Sequence, residues 1–190
     1  MKEYKVNEIF YSVQGEGFHT GEPAVFVRFS GCNLSCPWCD TKGHENGTFY
    51  TADALEHEVL QCSGGDRLHV KVILTGGEPT LQLSEEEELF RGFYRCIETN
   101  GTRRPPSWID WVTVSPKDGF LPAFTPDELK IIFEPGREAW YDRLSAFSCM
   151  KYLQPMEQNG RMNIQETVAY VLAHPVFRLS LQTHKLIGVR

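Results

Sequence analysis

Apolar and polar positions alternate along the chain in short blocks. Val25-Phe26-Val27-Arg28-Phe29, Val70-Lys71-Val72-Ile73-Leu74, Tyr94-Arg95-Cys96-Ile97-Glu98 and Trp111-Val112-Thr113-Val114 are runs of bulky or β-favouring residues. Leu129-Lys130-Ile131-Ile132-Phe133, Met150-Lys151-Tyr152-Leu153 and Phe177-Arg178-Leu179-Ser180-Leu181 continue the series. Each predicts a strand, because Gly, Pro, Asn or Asp punctuate the chain between them. Three segments carry helical spacing instead. Residues 51–61 place Leu55, Val59 and Leu60 on one side behind an N-capping Thr51. Residues 138–147 and 163–173 read alike, the latter with Ile164, Val168, Val171 and Leu172 as its apolar face. A further helix is expected from Ser84, with Glu85 to Glu88 as a first turn suited to the positive end of the helix dipole. Residues 31–47, rich in Gly, Asn, Pro and Asp, read as a loop.

Strands that alternate with helices predict an α/β fold with a mainly parallel sheet and right-handed crossovers. Nearly every predicted strand ends in a polar cluster, such as Gly76-Gly77-Glu78-Pro79, Thr99-Asn100-Gly101 or Ser115-Pro116-Lys117. Glu134-Pro135-Gly136, Gln154-Pro155-Met156 and Gln182-Thr183-His184-Lys185 repeat the pattern. In α/β barrels the chemistry sits at that carboxyl end of the strands. A closed eightfold barrel takes about 250 residues, and this chain has 190. The expectation is an open, partial β/α barrel of about six strands, spanning residues 1–190 as one domain without repeats, linkers or low-complexity tracts.

Composition narrows the function. Apolar residues make up 41% and charged residues 23%, the balance of a folded globular chain rather than a disordered one. No apolar run reaches the roughly 18 residues of a membrane span, and no apolar leader follows the N-terminal Met1-Lys2-Glu3. A cytoplasmic location without a membrane partner is therefore expected. The net charge of −6 argues against a nucleic-acid partner and leaves room for a local basic pocket.

The strongest chemical signal is Cys32-Asn33-Leu34-Ser35-Cys36-Pro37-Trp38-Cys39, a C-x3-C-x2-C cluster. Cys62, Cys96 and Cys149 are scattered and read as small buried apolar residues. Three soft thiolates select zinc or an iron–sulfur centre. Four-cysteine ligation is usual for electron-transfer clusters, so three ligands would leave one metal position open for a substrate or cosubstrate. Spacing alone also permits a structural Cys3His zinc module completed by His44.

The cysteine spacing, with aromatic Trp38 before the last cysteine, resembles the radical S-adenosylmethionine superfamily. Gly76-Gly77-Glu78-Pro79 resembles that family's strand-terminal motif. A closer resemblance, spread over almost the whole chain, is to the 7-carboxy-7-deazaguanine synthase family of queuosine formation. It rests on Ser12-Val13-Gln14-Gly15-Glu16-Gly17, Phe26 to Cys32, Cys39-Asp40-Thr41, Thr75 to Pro79 and Glu98 to Thr102. Val114 to Lys117, Glu128-Leu129-Lys130, Leu153 to Met156 and Leu181 to Lys185 extend it.

The resemblance implies a [4Fe–4S] cluster on Cys32, Cys36 and Cys39, with S-adenosylmethionine chelated to its unique iron. The cosubstrate would be flanked by Trp38, Cys39 and Asp40 and lined by Gly77, Glu78, Ser115, Pro116, Lys117, Gln154, Pro155, Met156 and Glu157. Thr41 is implied as the protein ligand of a Mg²⁺ ion. The substrate implied is 6-carboxy-5,6,7,8-tetrahydropterin, held by an N-terminal strand and loop with Val13, Gln14, Gly15 and Glu16. Arg28 and Thr75 belong to the same pocket, and Gln182, His184 and Arg190 of segment 181–190 close it. A lyase reaction by radical ring contraction, a flavodoxin or ferredoxin as electron donor and a homodimer are also implied.

The residue types suit these roles. Arg28 can fork onto a carboxylate, Glu16 can accept from a guanidine-like edge, and Thr41 offers a hard oxygen to Mg²⁺. Taken singly, Arg28 could be a surface strand residue, Glu16 a turn residue, Thr41 a cap and His184 a structural histidine. A glycyl-radical-activating enzyme is the alternative within the same superfamily.

Overall fold

Nine strands hydrogen-bond into one sheet in a computed structural model, which describes residues 2–36, 39, 45–117, 119–158 and 160–190. β1 (Glu3–Val13) pairs antiparallel with β2 (Pro23–Phe29) and with β3 (Thr48–Thr51). Helix α1 (Ala52–Cys62) follows, capped by the Thr51 hydroxyl, which accepts from the Ala54 N–H. Then come β4 (Lys71–Gly76), a 3₁₀ turn over Pro79–Leu81, β5 (Tyr94–Thr99), β6 (Trp111–Val114) and β7 (Glu128–Phe133). Helix α2 (Glu138–Ser145) leads into β8 (Met150–Pro155). A small separate hairpin, β9 (Glu157–Gln158) and β10 (Arg161–Met162), precedes α3 (Ile164–Ala173), β11 (Arg178–Leu179) and α4 (Thr183–Ile187). The sheet order is β11-β8-β7-β6-β5-β4-β2-β1-β3, parallel from β11 to β2. The two ends do not meet, so the expected partial barrel is an open one. The parallel strands number seven rather than six, counting the two-residue β11.

Parallel strands covered on both faces read as near-continuous apolar runs, and β2, β4 and β8 are buried almost throughout. One core lies outside the sheet under α1, where Leu55 and Val59 meet Tyr4, Val27, Leu74 and Ile97. A second joins Leu129, Ile131 and Leu153 to Tyr141 and Leu144 of α2 and to Phe177. A third holds Ala24, Phe26, Ile73 and Cys96, with Phe10 and Trp111 packed against it. Burial pushes the Cys96 thiol up, as befits a cysteine used as a small apolar residue. Cys62 and Cys149 are half-buried and shifted the same way by the same cause.

The helix expected from Ser84 does not form, and residues 84–93 run as turns and bends. The acidic side chains that suit a first turn are bound elsewhere. Glu85 accepts from the Ser107 N–H and hydroxyl, Glu87 accepts from the Tyr4 hydroxyl at 2.6 Å, and Glu88 pairs with Arg91 and Arg95. Phe90, fully buried, sits at φ 57° with its N–H on Glu56 at 2.9 Å, and a left-handed residue ends any helix. The predicted strand over 177–181 shrinks to β11, because Phe177 turns into the core. Among the described residues, no α-helix bridges β4 to β5, β5 to β6 or β6 to β7, and only the 3₁₀ turn at Pro79–Leu81 lies between β4 and β5. Loops in place of crossover helices account for the short chain.

Candidate active site

The parallel strands deliver their carboxyl ends to one rim, and a cavity of about 230 Å³ opens there. Of the residues expected around the substrate, it is lined by Val13, Gln14, Gly15, Glu16, Arg28, Thr75, His184 and Arg190. Gly77, Ser115 and Gln154 of the cosubstrate set line the same cavity. Gln182 stands behind the wall, and its Nε2 donates to Glu16 Oε1 at 2.9 Å. Glu157 is exposed and pairs with Lys185 at 2.8 Å. Pro116, Lys117 and Met156 follow the ends of β6 and β8, Pro155 is the last residue of β8, and none of the four lines the cavity. Trp38, Asp40 and Thr41 lie outside the described residues, as does His44.

The polar wall is organised around one buried amine. Lys130 Nζ donates to Glu16 Oε2 and, at 2.8 Å, to Glu98 Oε1. Glu98 also accepts from Gln14 Nε2 at 3.2 Å and from the Thr75 hydroxyl at 3.0 Å. Glu16 accepts from Gln154 Nε2 at 3.3 Å in addition to Gln182. Burial works against charge in both partners. The neighbouring Lys130 ammonium overrides this and holds the Glu98 carboxyl well below the usual carboxylate range. Lys130 is in turn pushed up by Glu16 and Glu98 against the effect of its own burial. One ammonium between two carboxylates leaves a local charge of about −1.

A second charged group stands on β1 and β2. Arg28 Nε donates to Glu8 Oε1 at 2.7 Å, and the Arg190 guanidinium binds the other oxygen of Glu8. Arg190 also stacks over the Phe10 ring at 4.9 Å, and its carbonyl accepts from the Ser12 hydroxyl at 2.6 Å. The C-terminal segment is thereby folded back over the cavity. The Thr183 N–H, at the start of α4, donates to the Gly15 carbonyl at 2.9 Å. Gly15 is required there, since a Cβ would fall 2.1 Å from the His184 ring.

The cysteine loop hangs from the same rim. The Gly77 N–H donates to the Phe29 carbonyl at 3.0 Å and the Glu78 N–H to Gly31 at 2.8 Å. A Cβ on Gly77 would lie 2.0 Å from the Gly31 oxygen, so only glycine lets β4 and the loop approach this closely. Glu78 is fully buried and does not line the cavity. It accepts from the Thr80 N–H and hydroxyl, from the Thr99 hydroxyl at 2.7 Å and from the Asn100 N–H at 2.7 Å. Asn100 Nδ2 then donates to Asn33 Oδ1 at 2.9 Å, inside the cysteine loop. The strand-terminal motif thus anchors the loop through its backbone and through Glu78.

Cys32 and Cys36 are half-buried and Cys39 is exposed. Among the described residues, no three His, Cys, Asp or Glu side chains converge as a metal-ligand set. The donor chemistry, three soft thiols on one short loop, fits an iron–sulfur cluster.

The sequence reading assigns no role to Glu98, Lys130 or Glu8. The signal for Lys130 is visible in hindsight. A charge inside Leu129-Lys130-Ile131-Ile132-Phe133 interrupts a buried strand, and buried charges are paired. Glu8 carries no such signal, because a lone glutamate on a half-buried strand is ordinary.

Several known proteins are similar to this chain. Residues 26–113 match the family described as the Radical SAM superfamily. A protein of Bacteroides thetaiotaomicron named 7-carboxy-7-deazaguanine synthase is 51% identical over 98% of both chains. One of the same name from Caulobacter vibrioides is 44% identical, over 98% of this chain and 99% of its own length. The crystal structure of QueE from Escherichia coli superposes with a TM-score of 0.75 at 28% identity, covering 96% of this chain and 95% of that one. The chain belongs to the radical S-adenosylmethionine superfamily and, within it, to the 7-carboxy-7-deazaguanine synthase family.

Proposed function

We propose that this chain converts 6-carboxy-5,6,7,8-tetrahydropterin to 7-carboxy-7-deazaguanine and ammonia, as a carbon–nitrogen lyase acting in queuosine biosynthesis. The observation that carries this reading is the polarity of one cavity. Arg28 stands in it as a cation, and Glu16 with Glu98 stands in it as an acceptor pair. A pterin carboxylate is matched by Arg28, whose fork can take both oxygens. The guanidine-like edge of the pterin is matched by the two carboxylates. Val13, Gln14, Gly15 and Thr75 line the space for the flat ring, with His184 and Arg190 closing it from the C-terminal segment.

Cys32, Cys36 and Cys39 would hold the [4Fe–4S] cluster. Trp38, Asp40, Gly77, Glu78, Ser115, Pro116, Lys117, Gln154, Pro155, Met156 and Glu157 would hold S-adenosylmethionine, with Glu78 acting through the loop it anchors. When bound, that pair supplies a 5′-deoxyadenosyl radical able to take hydrogen from C6 of the pterin. This chain's own residues orient the ring and keep competing hydrogen donors away. Thr41 is assigned to a Mg²⁺ ion that orients the substrate carboxylate. A cytoplasmic homodimer of single-domain chains, reduced by a flavodoxin or ferredoxin, completes the proposal. Among the described residues no helix is long and apolar enough to cross a membrane.

The test is anaerobic incubation of reconstituted protein with the carboxytetrahydropterin, S-adenosylmethionine, Mg²⁺ and dithionite. The deazapurine should appear, and Cys36→Ala should abolish it. No product from protein with an intact cluster would overturn the substrate assignment.

A further inference from the structure

Lys130 reaches the cavity from the middle of β7, and it is the only amine that bonds both carboxylates of the polar wall among the described residues. Glu16 comes from the loop after β1 and Glu98 from β5, so two separate parts of the chain meet at one Nζ. The remaining bonds to these carboxylates come from Gln14, Thr75, Gln154 and Gln182. All four donors are neutral, so among the described residues Lys130 is the sole counter-charge bonded to the pair.

We propose that Lys130 is a positioning residue for the substrate, keeping Glu16 and Glu98 side by side as an ionised acceptor pair that reads the amine-bearing edge of the ligand. This rests on the pterin reading given above and deepens it. Without the lysine, two like charges would share a half-buried site, and one carboxyl would hold a proton into the neutral range. A protonated carboxyl presents a donor where the ligand also presents a donor. The remaining charged or titratable groups near the site are Glu128, two residues back on the same strand, Arg28, His184 and Arg190 on the cavity wall, and Glu8, which pairs with both arginines. Glu128 is bound to the Phe18 N–H and the Thr113 hydroxyl and does not line the cavity.

The test measures equilibrium binding of 6-carboxypterin, a stable oxidised analogue, by its fluorescence. It uses the reconstituted full chain with S-adenosylmethionine, from pH 6 to pH 8.5. The ratio of the variant's dissociation constant to the wild type's at each pH cancels the ligand's own titration. For Lys130→Met the ratio should be greatest at pH 6 and fall by up to roughly tenfold per pH unit, as expected where binding needs one proton removed. Lys130→Arg should stay within about threefold at every pH, since the cation is kept. The double variant Lys130→Met/Glu98→Gln restores the local charge and should lose the pH dependence, binding better at pH 6 than Lys130→Met alone. A ratio for Lys130→Met that is near one, or raised but flat in pH, would overturn the proposal and leave Lys130 a structural ion pair. Failure of the wild type to bind the pterin at all is a separate outcome that removes the substrate reading itself.

Discussion

Gly77→Ala probes the junction between fold and chemistry. The new methyl would sit 2.0 Å from the Gly31 carbonyl oxygen and 2.5 Å from its carbon, with the Cys32 nitrogen at 3.1 Å. All three are backbone atoms, so no side chain can swing away. Ordinary contact between such atoms is about 3.5 Å, so the cysteine loop or the end of β4 must shift by more than about 1 Å. Overpacking of this kind costs about 1–3 kcal/mol. The shift also endangers the Glu78-to-Gly31 hydrogen bond of 2.8 Å, worth about 1 kcal/mol. The sum is about 2–4 kcal/mol, or a fall in Tm of about 4–16 °C for a chain of this size. If the loop yields instead of the strand, the Tm falls less and cluster assembly suffers more. Thermal unfolding together with iron and sulfide content after anaerobic reconstitution distinguishes these routes, and at least one must respond. A Gly77→Ala protein with wild-type Tm and full iron would refute the close-approach argument.

Glu78→Gln should destabilise by about 2–4 kcal/mol, because an amide donor replaces a charged acceptor opposite the Asn100 N–H; chemical denaturation reads it. Leu153→Ala, fully buried in the core beneath α2, should cost about 2–5 kcal/mol while turnover per folded molecule holds, which separates packing from site. The pH dependence follows from Glu98, whose folded pKa lies below its unfolded value near 4.3. Its stabilisation is therefore complete above that value and drains away as the pH falls below it. Acid unfolding curves of wild type and Glu98→Gln should converge on acidification, and parallel curves would contradict the assignment. Arg28→Lys keeps the charge but loses the fork, so KM for the carboxytetrahydropterin should rise at least tenfold, with the fold unchanged by circular dichroism.

How much of this was legible in sequence depends on whether a residue's job is local. Val25 to Phe29 and Val70 to Leu74 declare themselves because buried parallel strands are apolar on both faces. The Thr51 cap is equally local, and it holds. The acidic run after Ser84 misleads because Tyr4 and Ser107, both distant in sequence, and Arg95 on the following strand claim its carboxylates. Helix α4 escapes notice because five residues make too short a period to read. The same division runs through the site. The cysteine spacing and the Gly76-Gly77-Glu78-Pro79 turn are contiguous and readable. The Glu16–Lys130–Glu98 cluster joins residues more than thirty positions apart, and only the fold brings them together. Glu78 shows a third case, since its place in the motif is evident but its structural task, tying Thr80 and Thr99 to Asn100, is not.

The most direct check is an anaerobic crystal structure of the reconstituted protein with S-adenosylmethionine and the carboxytetrahydropterin bound. The pterin carboxylate should meet Arg28, the opposite amine-bearing edge should meet Glu16 and Glu98, and Cys32, Cys36 and Cys39 should each ligate one iron. A pterin bound outside this cavity, or a fourth protein side chain on the remaining iron, would contradict the account.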